Sequence, residues 1–171
     1  MLEQVYSEVK NSLHSAESLY YRLVLLVGQS GTSKSKTLYK IAHELGIPVI
    51  NANMIISGLL LELTSKQRAL RLPSILNEIC SNSNSLVILD NTEILFDSSL
   101  KQDPLRLLQS ISRNRILLSS WNGRFLKNKL LYAEVGHHEF RSYENADALI
   151  IDMNSNTSIG EETKMCKAEQ A

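Results

Sequence analysis

Long apolar runs are missing from this chain, and so is any surplus of charge. No stretch approaches the roughly 20 consecutive apolar residues that a membrane-spanning helix requires, so no membrane contact is expected. Lysine plus arginine equals aspartate plus glutamate at 18 each, which leaves no global field to draw the protein onto nucleic acid or an acidic lipid surface. Cysteine is scarce. Cys80 and Cys166 stand far apart in no metal-ligand spacing, which argues against a disulfide framework and for a reducing compartment. Residues 1–10 carry Glu3 and Glu8 and lack a leader-like apolar run, so the expected location is the cytoplasm. At 171 residues the chain is long enough for one three-layer core and too short for that core plus a full second domain.

What is present is a regular alternation of elements. Leu2, Val5, Tyr6, Val9, Leu13, Ala16 and Tyr20 recur at helical spacing, which predicts a leading amphipathic helix from Leu2 to about Tyr20. Leu23 to Val27 is a continuous apolar run closed by Gly28, the pattern of a strand buried on both faces of a parallel sheet. Leu38, Ile41, Ala42 and Leu45 form the stripe of the next helix, stopped by Gly46 and Pro48. A second strand over Pro48–Asn53 precedes a mostly helical stretch from about Met54 to Cys80, with Pro73 starting or kinking its later part. Ser81–Ser85 reads as a turn, and Leu86–Leu89 is an apolar strand ending at Asp90. Asp103 and Pro104 mark the N-cap and first position of a helix reaching about Ser112. Arg115–Ser119 is a fourth strand and Ala148–Asp152 a later one, with a small strand expected around Phe140–Tyr143. Strands alternating with helices predict an α/β fold, a mainly parallel five-stranded sheet covered on both faces. The domain spans 1–153; residues 154–171 lose apolar periodicity and read as a polar, disordered tail.

The segment Gly28-Gln29-Ser30-Gly31-Thr32-Ser33-Lys34-Ser35 matches G-x-x-x-x-G-K-[ST] except at Ser33, and it sits between an apolar strand and a helix, as the motif requires. Successive backbone N–H groups and the positive end of the following helix would face phosphate oxygens there. Lys34 would neutralise the β and γ phosphates of ATP and the Ser35 hydroxyl would hold Mg2+, with Gly28 through Lys36 lining the nucleotide. A serine at the glycine position costs roughly 1–2 kcal/mol if the backbone is left-handed there. A shifted register from Gly31 would use Lys36 and Thr37 but lacks a glycine before its lysine. The expected fold is therefore the three-layer αβα P-loop NTPase sandwich, in the additional-strand order 5-1-4-3-2.

Leu86–Leu89 delivers Asp90 to the strand end where the phosphate loop also lies, the place of a Walker-B carboxylate acting on Mg2+. Glu93, three residues on, is the candidate to orient or deprotonate the attacking water; the position directly after Asp90 is Asn91. After the fourth strand, Ser119-Ser120-Trp121-Asn122-Gly123 places Asn122, and next Ser120, to touch the γ-phosphate or the water. Asn122-Gly123 is equally a turn dipeptide. Trp121 suits packing better than base stacking. From Ser112 to Lys129 the chain carries Arg113, Arg115, Arg124, Lys127 and Lys129 and no acid. Arg124 would serve as a finger on a neighbouring subunit's nucleotide, or the stretch would meet a DNA backbone, or it is a solvated face. Adjacent His137 and His138 on an extended segment point to opposite faces, which argues against joint metal ligation.

The phosphate loop, Asp90-Asn91-Thr92-Glu93-Ile94-Leu95-Phe96, Ser120-Trp121-Asn122-Gly123 and Tyr132-Ala133-Glu134-Val135-Gly136-His137-His138-Glu139-Phe140-Arg141 together resemble the BrxF family, small P-loop proteins of BREX bacteriophage-exclusion systems. The likeness runs from Leu23 to Asp152. It implies an AAA-like ATPase core in antiphage defence, acting with larger BREX subunits, and it carries nucleotide roles onto Gly28, Lys34, Ser35 and Asp90. The helical lid of full AAA proteins does not follow the core here, so a homo-oligomer would need contacts from a partner. Two further readings remain open: a nucleotide-sensing adaptor with little hydrolysis, which Ser33 and the displaced Glu93 favour, and a small-molecule kinase, for which no arginine-bearing lid or acceptor pocket is legible.

Overall fold

Every residue of β1 (Leu23–Gly28) is buried, because both of its flanks and both of its faces are covered. In the computed structural model, which describes residues 2–81 and 85–154, β1 lies between β4 (Ile116–Leu126) and β7 (Leu149–Asp152), parallel to both. Beyond β4 come β3 (Leu86–Asp90) and β2 (Val49–Asn51), also parallel, giving β2-β3-β4-β1-β7. Counted as the five parallel strands, this is the expected order 5-1-4-3-2. Of the tail expected over 154–171 only Asn154 is described; the rest of it, Cys166 included, and the centre of the Ser81–Ser85 turn lie outside the described residues.

Alternate side chains of β1 serve two cores. Leu23, Leu25 and Val27 face α3 (Ala52–Leu60), α4 (Ser65–Ser81) and α5 (Pro104–Ser112), packing with Ile56, Leu72, Leu76 and Leu108. Val24 and Leu26 face α1 (Leu2–Ala16) and α2 (Lys34–Leu45), packing with Val5, Val9, Leu38 and Ile41. Each fully buried Leu, Ile or Val side chain contributes about 1.5–3 kcal/mol, so this two-sided burial fixes the three layers. Among the described residues no helix is long and apolar enough to cross a membrane.

Several boundaries differ from the sequence expectation. The leading helix ends at Ala16, not near Tyr20, because Leu19 and Tyr20 are exposed and have no core to extend into. The long helical stretch is two helices. Thr64 and Gln67 cap the second reciprocally, Thr64 N donating to Gln67 Oε1 at 3.0 Å and Gln67 N to Thr64 Oγ1 at 3.3 Å. Pro73 lies inside α4, and the Ala69 carbonyl it cannot serve accepts instead from Gln102 Nε2 at 2.7 Å.

The largest departure is in β4. The strand continues straight through Asn122-Gly123, and the turn comes at Lys127 and Asn128, both at positive φ, as a two-residue hairpin demands. The upper half of β4 pairs antiparallel with β5 (Lys129–Tyr132), which pairs with β6 (Arg141–Glu144). Gly123 is needed there: a Cβ would overlap the Leu131 carbonyl oxygen, which also accepts from Trp121 Nε1 at 3.0 Å. Cross-strand pairing thus outweighs the turn preference of the dipeptide.

Candidate nucleotide site

The phosphate loop is built on its own side chains. From Gly28 the chain turns back on itself so tightly that a Cβ at Gly28 would collide with Thr32 Oγ1, and Gly31 takes φ +86°. Gln29 O is the hub: it accepts from Thr32 N at 3.3 Å, Thr32 Oγ1 at 2.7 Å and Lys34 Nζ at 2.8 Å. Lys34 Nζ also donates to Thr32 Oγ1 at 3.3 Å. Ser33 adopts φ 63°, ψ 25°, the left-handed conformation for which glycine is the usual residue, and it caps α2 without a side-chain bond. Its carbonyl accepts from Thr37 N and Thr37 Oγ1, each at 3.1 Å, which anchors the first turn of the helix.

Lys34 is only 7 % exposed. Burial lowers its pKa from the ordinary lysine range, and the carboxylates of Asp90 and Glu93 pull it back up. An ammonium so held attracts an anion more strongly than one in water.

Asp90 ends β3 and is buried. Asn91 then takes φ 53°, a conformation asparagine tolerates, and its carbonyl accepts from Asn53 N at 2.9 Å. This reversal starts a short 3-10 turn at Glu93–Phe96, with Thr92 Oγ1 donating to Ser120 O at 3.1 Å. The turn folds Glu93 back over the site, so the three-residue spacing from Asp90 still ends at the same cavity. Phe96 anchors it, stacked on Tyr132 with centroids 3.5 Å apart and edge-on to fully buried Trp121. Asn122 Nδ2 donates to Glu93 Oε1 at 2.6 Å.

One cavity of about 380 Å3 brings together Ser30 through Ser35, Asp90, Asn91, Glu93, Ser120 and Asn122. Next to it, and sharing Ser30 and Asn122, is a larger one of about 600 Å3 under the β4–β6 ribbon, walled by Gln29, Gly123, Arg124, Tyr132, Glu134, His137 and Glu139. The smaller cavity is the one where the loop, Lys34 and the two carboxylates Asp90 and Glu93 meet. Arg124 walls only the larger one and pairs with Glu134 at 3.8 Å. Lys36, at the start of α2, lines a groove with Leu2, Glu3, Tyr6 and Lys40 against α1 and neither of these two cavities.

The basic stretch is not one surface. Arg113 follows α5 and lies over the Tyr20 ring, Arg115 donates to the Cys80 carbonyl, and Lys129 pairs with Glu144 at 3.0 Å. Between Arg115 and Lys127 runs the 11-residue β4, roughly 36 Å of extended chain. Asn154 was missed altogether by its polar context; it reaches Gln29 N and Gly123 O, and the signal available was an amide directly after the last apolar strand.

The donor set suits magnesium. Ser35 and Asp90 offer hard oxygen ligands on the same cavity, and among the described residues no cluster of three or more His, Cys, Asp or Glu forms a dedicated metal cage. Magnesium bound to a nucleotide needs one or two protein oxygens and takes the rest from phosphate and water.

A search of curated proteins returns no match. Among solved structures, C. elegans PCH-2 is similar at 20 % identity over 71 % of this chain and 37 % of its own, with a TM-score of 0.41. AMPPCP-bound DnaA from Aquifex aeolicus is similar at 20 % identity over 66 % and 35 %, with a TM-score of 0.37. This chain therefore spans little more than a third of either protein. The family model described as "ATPase family associated with various cellular activities (AAA)" matches residues 24–121. That match runs from β1 through the phosphate loop and Asp90 to Trp121 and covers more than half of the chain, which belongs to the AAA family of ATPases.

Proposed function

We propose that this AAA domain binds magnesium-ATP in the smaller cavity and hydrolyses it. The observation that carries the reading is the convergence of Lys34, Asp90, Glu93 and Asn122 on one cavity at the C-terminal edge of a parallel sheet. The α2 N-terminus and loop amides receive the phosphates, and Lys34 exchanges its bonds to Gln29 O and Thr32 Oγ1 for phosphate oxygens. Ser35 and Asp90 are the residues that would hold Mg2+, which when bound would supply neutralisation of phosphate charge. Glu93, oriented by Asn122, accepts the proton of a water whose oxygen bonds to the γ-phosphorus as the bond to the β-phosphate oxygen breaks.

The residues shared with the BrxF family support a place in a BREX-type antiphage system, with larger subunits as partners and DNA as the object of the complex. A direct DNA contact of this chain would fall on the Lys127–Lys129 tip, since the other basic residues of that stretch lie elsewhere. Arg124 acting on a neighbour's nucleotide belongs to the same proposal. A second reading, a nucleotide-sensing adaptor with slow turnover, is favoured by Ser33 at φ 63° and by Glu93 standing three residues after Asp90, with Asn91 directly after Asp90.

Calorimetry with Mg-ATP followed by single-turnover hydrolysis, alone and with the proposed larger BREX subunits, separates these. Binding with turnover supports the ATPase. Binding without turnover, partners included, gives the adaptor, and no binding sinks both.

A further inference from the structure

Asn154 stands where the chain leaves the sheet beside the phosphate loop. Met153 N donates to Val27 O at 2.8 Å, which carries the β1–β7 ladder one step past the strand. Asn154 then spans two elements with its carboxamide: Oδ1 accepts from Gln29 N at 3.1 Å, and Nδ2 donates to Gly123 O at 3.1 Å. Asp152 holds the carboxamide in place, its Oδ1 accepting from Asn154 N at 3.0 Å and from Nδ2 at 3.1 Å.

Both spanned elements lead directly to the reacting groups. Gln29, gripped by its N–H, holds the Lys34 ammonium with its carbonyl. Gly123, gripped by its carbonyl, follows Asn122, whose amide holds Glu93. One side chain therefore connects the lysine half of the cavity to the glutamate half. A carboxamide is the group for this, with an acceptor and a donor at fixed separation; aspartate lacks the donor and alanine lacks both.

We propose that Asn154 is a positioning residue of the nucleotide site, setting the phosphate loop in register with the strand that carries Asn122. The proposal rests on the nucleotide reading above, and its test reads the two apart. Mg-ATP affinity is measured by calorimetry on the full chain for wild type, Asn154→Ala, Asn122→Ala and the double variant, alongside amide hydrogen exchange. Expected are an affinity about tenfold weaker for Asn154→Ala, a double variant weaker by less than the product of the singles, and faster exchange across 29–34 with β3 unchanged. Unaltered affinity, losses that multiply, or exchange that rises equally in β3 would overturn it, the last marking a merely structural role. If Asn154→Ala does not fold, Asn154→Asp takes its place: it keeps the acceptor for Gln29, loses the donor to Gly123, and should still weaken binding and show the same coupling to Asn122. Failure of wild type to take up Mg-ATP sinks the nucleotide reading, while the exchange measurement still reports whether Asn154 holds the loop.

Discussion

Asn122 on β4 and Glu93 on the turn after β3 are joined by a 2.6 Å hydrogen bond, 29 positions apart in sequence. The bond places the candidate base by a neighbouring strand, so its position does not depend on following Asp90 directly. Glu93→Gln keeps the geometry and removes the basicity. Single-turnover hydrolysis should fall at least about 100-fold, the low end of what a positioned general base contributes, while ATP affinity stays within about threefold. An unchanged rate would remove Glu93 from the chemistry.

Lys34 tests the binding half of the site. Its ammonium is buried and hydrogen-bonded to the neutral oxygens Gln29 O and Thr32 Oγ1, which it can exchange for charged phosphate oxygens. Hydrogen bonds to charged groups are worth about 1.5–3 kcal/mol, hence Lys34→Ala should weaken Mg-ATP by about 10–100-fold in calorimetry. Equal affinity would place the phosphates elsewhere.

Ser33 at φ 63° carries a strain that glycine would not. After the greater entropy glycine loses on folding, Ser33→Gly should stabilise the fold by about 0.5–1 kcal/mol and raise the melting midpoint by about 1–4 °C. Nucleotide binding should tighten as well. A lower midpoint together with weaker binding would mean that the serine hydroxyl makes a functional contact.

Cys80 gives the protein an alkaline weakness. Burial pushes its thiol from 9.0 up to about 11, against the pull of Arg115. In the unfolded chain the thiol ionises first, so the folded state binds more protons between those values and stability falls as pH rises through that window. The full shift corresponds to about 2–3 kcal/mol at this fully buried side chain. Chemical unfolding at pH 8 and pH 11 should show a smaller pH-dependent loss for Cys80→Ala than for wild type; equal losses would assign the effect to other groups.

The sequence made the phosphate loop and the strand ending at Asp90 legible because each is decided locally, by a loop chemistry and an apolar run, and the strand order followed from the fold that the loop motif implies. It hid what is decided between strands. Asn122-Gly123 carries strong turn chemistry, yet Gly123 serves to let the Leu131 carbonyl approach, and only the partner strand reveals that. The basic stretch from Arg113 to Lys129 likewise divides once β4 is drawn, with Arg113 and Arg115 before the strand and Arg124, Lys127 and Lys129 in the hairpin at its far end. Asn154 sat in polar surroundings with no periodicity to mark it, and its role exists only through Gln29 and Gly123, 125 and 31 positions away.

β4 belongs without a break to the parallel sheet as far as Asn122 and to the antiparallel ribbon from Gly123 onward, so the residue that holds Glu93 and the exposed Lys127–Asn128 turn are carried by one continuous strand.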